Sequence, residues 1–134
     1  MILTYASQQD YDSMAGKPGD QPAWLAEDFA AIGAFMTSFN QELERSGELV
    51  ETRGLAAPVH ARRLTGTGAV VTDGPYAETQ EVLAGYWIVE CASFDRATEI
   101  AARLNQTPAP EHVAARAYAD VRPMAESQSD LLES

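Results

Sequence analysis

Apolar residues in this chain follow two spacings. Over residues 24–46, Phe29, Ile32, Met36, Phe39 and Leu43 recur at steps of three and four, which places them on one helical face and predicts a core-packing helix. Gly47 stands where a left-handed C′ residue would end it. A second helix is predicted over 94–106, with Phe94, Ala97, Ala101 and Leu104 inward, Ser93 or Asp95 as cap, and Thr107-Pro108-Ala109-Pro110 as the stop. Short β-prone runs make up the remainder: Ile2–Tyr5, the polar Glu48–Arg53, Val59–Leu64, Ala69–Thr72 entered through Gly66 and Gly68, Gly85–Ala92, and Ala115–Met124. In the last run Ala117, Ala119 and Val121 alternate with Tyr118, Asp120 and Arg122. Residues 7–23 read as a long irregular connection, a candidate lid, and 125–134 as a flexible acidic tail. Strand, helix, strands, helix, strand is the pattern of one α+β domain, with both helices on one face of an antiparallel sheet.

Composition narrows the function classes. The chain has 134 residues, enough for a single core, and 46% apolar and 22% charged residues, as ordinary globular domains do. Nine basic against twenty acidic residues leave a formal charge of −11, which disfavours nucleic acid and anionic membrane surfaces as partners. The single cysteine, Cys91, excludes an internal disulfide and lies in an apolar run, where a buried inert thiol is expected. The first residues show neither a basic n-region nor an apolar h-region, and no apolar run approaches the ~18–20 residues of a membrane span. A cytoplasmic protein is expected.

The most informative stretch is 70–91, VVTDGPYAETQEVLAGYWIVEC. Two apolar runs flank Asp73-Gly74-Pro75-Tyr76, and Asp beside Gly-Pro is turn chemistry, so Asp73 is expected at a strand end. Asp-Gly-Pro-Tyr-Ala-Glu-Thr-Gln-Glu followed by Leu-Ala-Gly-Tyr-Trp-Ile-Val resembles the signature of the YCII-related (DGPF) family, with Tyr76 in place of the usual Phe and Gln80 in place of the usual Lys. The resemblance runs from residue 1 to Met124. It implies a ferredoxin-like fold that pairs sheet to sheet as a homodimeric α+β barrel, with Tyr86, Ile88 and Glu90 or their alternates between the sheets. It further implies either a small-molecule site using cofactor-free acid–base chemistry (isomerase, cyclase or lyase type) or an interaction protein associated with an extracytoplasmic-function sigma factor. Some members pair the aspartate with a histidine on the first helix. Helix 24–46 has no histidine, and about Met36 stands at that position.

No phosphate loop, nucleophile elbow or metal-spaced Cys or His pair is present, so neither a metal nor a cofactor is expected. Asp73 is the leading catalytic candidate, as a general base if burial raises its pKa; a turn-capping role competes with that one. His60 is a weaker candidate, able to relay protons at a pKa near ~6.5 only if it approaches Asp73. Tyr76, Tyr86, Tyr118 and Arg122 are the candidate ligand-binding residues, phenols and a guanidinium suited to polarising an oxygen, with ring packing the competing role for each tyrosine. Asp120 and Arg122 share a strand face, where they could pair.

Overall fold

A computed structural model describes residues 1–66 and 71–133. Its elements are β1 (Ile2–Ala6), α1 (Gln8–Met14), α2 (Ala26–Ser46), β2 (Leu49–Gly54), a 3-10 turn (Pro58–His60), β3 (Arg62–Leu64), β4 (Val71–Asp73), β5 (Val82–Val89), α3 (Phe94–Leu104), α4 (Glu111–Ala114), β6 (Ala119–Val121) and α5 (Gln128–Leu132). The main sheet is antiparallel in the order β2-β5-β1-β6. Taken without the β3–β4 ribbon, which forms a sheet of its own, this is the strand order of a ferredoxin-like fold.

Register decides which residues meet the helices. Ile2 lies opposite both Trp87 and Val121, and these three share the face that packs on Phe39 and Leu43 of α2 and on Ile100, Ala101 and Leu104 of α3. Leu3, Tyr86 and Asp120 form the next row and therefore point to the opposite face. One polar pin crosses the core: Trp87 Nε1 donates to Asn40 Oδ1 at 2.9 Å.

Local chemistry sets the helix limits. Gly47 takes φ 77°, its N–H donates to Glu44 O and the Glu48 N–H to Leu43 O, the paired bonds of a Schellman ending. Ser93 Oγ accepts from the Arg96 N–H at 3.0 Å at the start of α3. Arg96 then grips Glu48 through two 2.9 Å bonds, tying α3 to the end of α2; this pairing first, and the Ser46 hydroxyl second, hold the Glu48 carboxyl below its usual range.

Several elements differ from the sequence expectation. Residues 7–23 are not wholly irregular, because Ser7 and Asp10 form a reciprocal capping box that starts α1. Val59–Leu64 divides into a 3-10 turn and β3, since Pro58 pre-sets the turn. The Ala69–Thr72 expectation falls partly on 67–70, outside the described residues; β4 begins at Val71 and ends at Asp73. β5 starts earlier and stops earlier than expected, at Val82 and Val89. The long final strand shrinks to β6, its first residues being taken by the turns after α4. The acidic tail contains α5, started by a Ser127–Asp130 box. On α3 the buried positions are Ala97, Ile100, Ala101 and Leu104, while Phe94 is exposed. Cys91 follows β5 and is half-buried rather than enclosed.

Candidate functional site

The apolar stripe of α2 serves two purposes along its length. Its C-terminal half, Phe39 and Leu43, is sealed in the core, whereas Ile32 and Met36 line a cavity of about 230 Å³ between the sheet and the helices. Trp87 and Leu104 extend the core into this space; Trp24 and Val113 line it from the segments before α2 and within α4. Thr4, Tyr5 and Ala6 line it in succession. A strand in regular alternation would present only every second residue, but the β1–β5 register shifts between Thr4 and Tyr5, leaving Ala84 as an extra residue of β5.

One carboxylate gathers the cavity's polar wall. Asp10 Oδ2 accepts from the Ser7 N–H at 2.8 Å, and Oδ1 accepts from Gln21 Nε2 at 3.0 Å and Arg116 Nη2 at 3.1 Å. Burial opposes its ionisation, but these bonds from Ser7, Gln21 and Arg116 prevail and hold its carboxyl below the ordinary range. Ser13 Oγ donates to Pro22 O at 2.6 Å and the Trp24 N–H donates to Ser13 O at 3.3 Å, so the stretch between α1 and α2 is folded back onto α1. Near its end, Trp24 packs its ring 5.4 Å from that of Phe29 and has its indole Nε1 buried without an acceptor among the described residues.

Two phenols also line the cavity. Tyr5 and Tyr118 stack at 5.2 Å. The Tyr5 hydroxyl donates to Asp120 Oδ2 at 2.8 Å, and that bond raises its pKa, assisted by burial. The neighbouring Glu81 carboxylate, which also lines the cavity, pushes that of Tyr118 up. Both phenols are thereby held in the protonated, hydrogen-donating form.

The residues singled out in the sequence are dispersed by the fold. Tyr118 lines the cavity. Asp73 ends β4 with its side chain 75% exposed, 2.9 Å from Arg62 Nε, and does not line the cavity. His60 and Tyr76 line a separate groove beside the β3–β4 ribbon, with the Arg63 guanidinium 5.4 Å from the Tyr76 ring. Tyr86 points to the other sheet face and donates to Glu51 Oε2 at 2.9 Å. Arg122 is exposed and pairs through its backbone with Met1. Asp120 takes the Tyr5 hydroxyl, and no Asp120–Arg122 ion pair forms among the described residues. Asp10, Trp24 and Arg116, which build the cavity wall, lie where the sequence suggests loop, helix and strand respectively; Trp24 in fact precedes α2, which begins at Ala26. The Ser7-x-x-Asp10 box was the one local signal pointing to them.

Among the described residues no group of three or more His, Cys, Asp or Glu side chains is placed to hold a metal ion, and no helix is long and apolar enough to cross a membrane. A ferredoxin-like sheet carrying two long helices, with an apolar pocket between the layers, defines the class as a small α+β domain with a pocket open at its surface. Residues 1–125 match the family described as the YCII-related domain, and the chain belongs to that family. The chain is also 29% identical over 85 residues to a protein of Rhizobium meliloti (strain 1021) described only as uncharacterized, an overlap covering 62% of this chain and 68% of that one.

Proposed function

We propose that this protein binds a compact, largely apolar small molecule in the cavity between its sheet and helices, and that any chemistry there is cofactor-free proton transfer. The observation that carries the reading is the lining itself: Ile32, Met36, Trp87 and Leu104 supply an apolar bed, while the Trp24 Nε1 donor, the Arg116 guanidinium and two phenols supply polar groups. A concave, mostly apolar pocket with a few polar groups is the usual form of a small-molecule site. In such a transfer Glu81, beside Tyr118 on the cavity wall, is the group that would accept a proton from the ligand, while the phenols, their pKa values raised, stay protonated and donate hydrogen bonds. Asp10 has no free acceptor role in this scheme, because its oxygens are already engaged; it positions the wall. Asp73 is too exposed to take part.

A second copy is proposed to cover the sheet face bearing Leu3, Tyr86 and Ile88. Ile88, half-buried there, and Tyr86 leave surface that the two helices, packed on the other face, do not reach.

Both tryptophans of the chain line the cavity, so intrinsic fluorescence reads occupancy directly. Titration with small aromatic acids, phenols, quinones and keto acids is expected to give a saturable change for at least one class. At about 100 times its dissociation constant such a ligand adds about 2.7 kcal/mol of stability, and Val113→Phe, which fills the cavity, is expected to abolish both effects. Binding that survives Val113→Phe would place the ligand elsewhere and overturn the reading.

A further inference from the structure

The charged groups on the cavity wall are largely engaged with the protein itself. Among the described residues the charged side chains lining it are Asp10, Glu81 and Arg116. Arg116 donates from Nε to the His112 carbonyl at 2.9 Å and from Nη2 to Asp10 Oδ1 at 3.1 Å. Asp10 also accepts from the Ser7 N–H and from Gln21 Nε2, and its charge and that of Arg116 offset each other within the wall. Glu81 stands in no ion pair among the described residues, but it is exposed, and solvent screens its charge. An ionic guest of either sign would enter the apolar bed without a counter-charge to receive it there, and burying an unpaired ion is costly.

The neutral polar groups leave one opening. Thr4 Oγ1 donates to Gly85 O, Thr107 Oγ1 to Leu104 O and the Tyr5 hydroxyl to Asp120 Oδ2, while Asn105 is exposed. Three buried side-chain atoms lack a hydrogen-bond partner among the described residues: Gln21 Oε1, Trp24 Nε1 and His112 Nε2. Of these residues Trp24 alone lines the cavity. Its indole N–H is an uncharged donor and cannot accept. The partner it lacks is an acceptor atom that can leave water without an ion's desolvation penalty. A carbonyl oxygen meets both conditions. A carboxylate accepts but carries that penalty, and an ammonium has no acceptor at all.

We propose that the cavity selects an uncharged carbonyl compound, its oxygen accepting from Trp24 Nε1 and its apolar body lying on Ile32, Met36 and Leu104, and that it discriminates against the carboxylate and the ammonium of the same skeleton. The inference rests on the reading of this cavity as a ligand site and narrows what the site takes. The formal charge of −11 acts in the same direction on anions, which it repels before they reach the wall. Among the classes suited to the cavity, quinones and simple ketones are therefore favoured over aromatic acids and keto acids.

The test uses four probes built on one phenyl skeleton: acetophenone, benzoate, 1-phenylethylammonium and ethylbenzene. Melting temperature against probe concentration is followed at neutral pH for the full chain, for Trp24→Phe and for Val113→Phe. Acetophenone is expected to bind at least about tenfold more tightly than benzoate or 1-phenylethylammonium. Trp24→Phe is expected to weaken acetophenone by about three- to tenfold relative to ethylbenzene, which offers no acceptor. Benzoate or the ammonium binding as well as acetophenone, with the shift lost in Val113→Phe, would overturn the selection for an uncharged carbonyl and leave the ligand site standing. Equal weakening of acetophenone and ethylbenzene in Trp24→Phe would do the same. Should that variant not fold, the order of acetophenone, benzoate and ammonium in the parent decides alone. Shifts that survive Val113→Phe, or no shift with any probe, would bring down the cavity reading and this inference with it.

Discussion

Arg116 Nη2 donates to Asp10 Oδ1 at 3.1 Å across 106 residues of sequence, and this ion pair joins the start of the chain to the segment that follows α4. With Gln21 on the same oxygen, Asp10 fixes the relative positions of three stretches that border one cavity. Asp10→Asn retains the shape of the side chain but removes the charge that Gln21 and Arg116 address. The expected cost is about 1.5–3 kcal/mol, the range for hydrogen bonds to a charged group, measured by denaturant unfolding.

The same carboxylate should leave a mark on the acid limb. Its folded-state pKa lies below the ordinary value, so its stabilisation is fully present above about pH 3.9, the unfolded value, and is lost as pH falls through the lowered folded pKa. Melting temperature against pH is expected to fall less steeply below about pH 4 in Asp10→Asn than in the parent. Identical acid limbs would show that Asp10 is not the titrating group.

Trp24 carries a buried N–H without an acceptor among the described residues, and an unmet donor of this kind costs about 1–3 kcal/mol. Trp24→Phe keeps a ring against Phe29 and removes the donor. Stability in the absence of ligand is expected to stay level or rise by about 1 kcal/mol, with affinity for acceptor-bearing ligands falling. Parallel unfolding and titration of the variant separate the two effects.

Ile100 is fully buried and Phe94 half-exposed on the same helix, although the sequence pattern favoured Phe94. Ile100→Ala is expected to cost about 2–5 kcal/mol, and Phe94→Ala within about 0.5 kcal/mol as a surface change. The order of the two unfolding midpoints decides which residue holds α3 to the sheet.

Asp73 faces solvent in a pair with Arg62. Asp73→Asn is expected to cost less than about 1 kcal/mol and to leave the cavity titration unchanged. A variant that folds but loses ligand would return Asp73 to the site.

How much of this could be read in advance follows from where the information lies. Helix α2 and its Gly47 ending, Ser93 as a cap and the mixed α+β order were legible because periodicity and caps are local signals. The 70–91 motif was legible as a family mark and correctly placed Asp73 at a strand end. The cavity was not legible, because Asp10, Trp24 and Arg116 are brought together by tertiary folding alone, and none stands in a periodic run. Ala115–Met124 looked like a long strand because alanine fits either a strand or a turn; only Ala119–Val121 finds pairing partners on β1. Phe94 was misassigned because a hydrophobic residue at a helix start can lie outside the contact face while matching its period.

The register shift between Thr4 and Tyr5 has its own consequence for how this pocket can change. Because three consecutive residues of β1 border it, the recess is shaped by one alanine inserted into the neighbouring strand's register as well as by its side chains. Replacing lining residues by others of similar size would alter what the hollow accepts while leaving the hollow in place. Deleting Ala84 would restore strict alternation and remove that source of its shape. Within such a scaffold preferences for different guests can diverge by single substitutions, and the recess is lost either by filling it with a larger side chain or by a change in chain length.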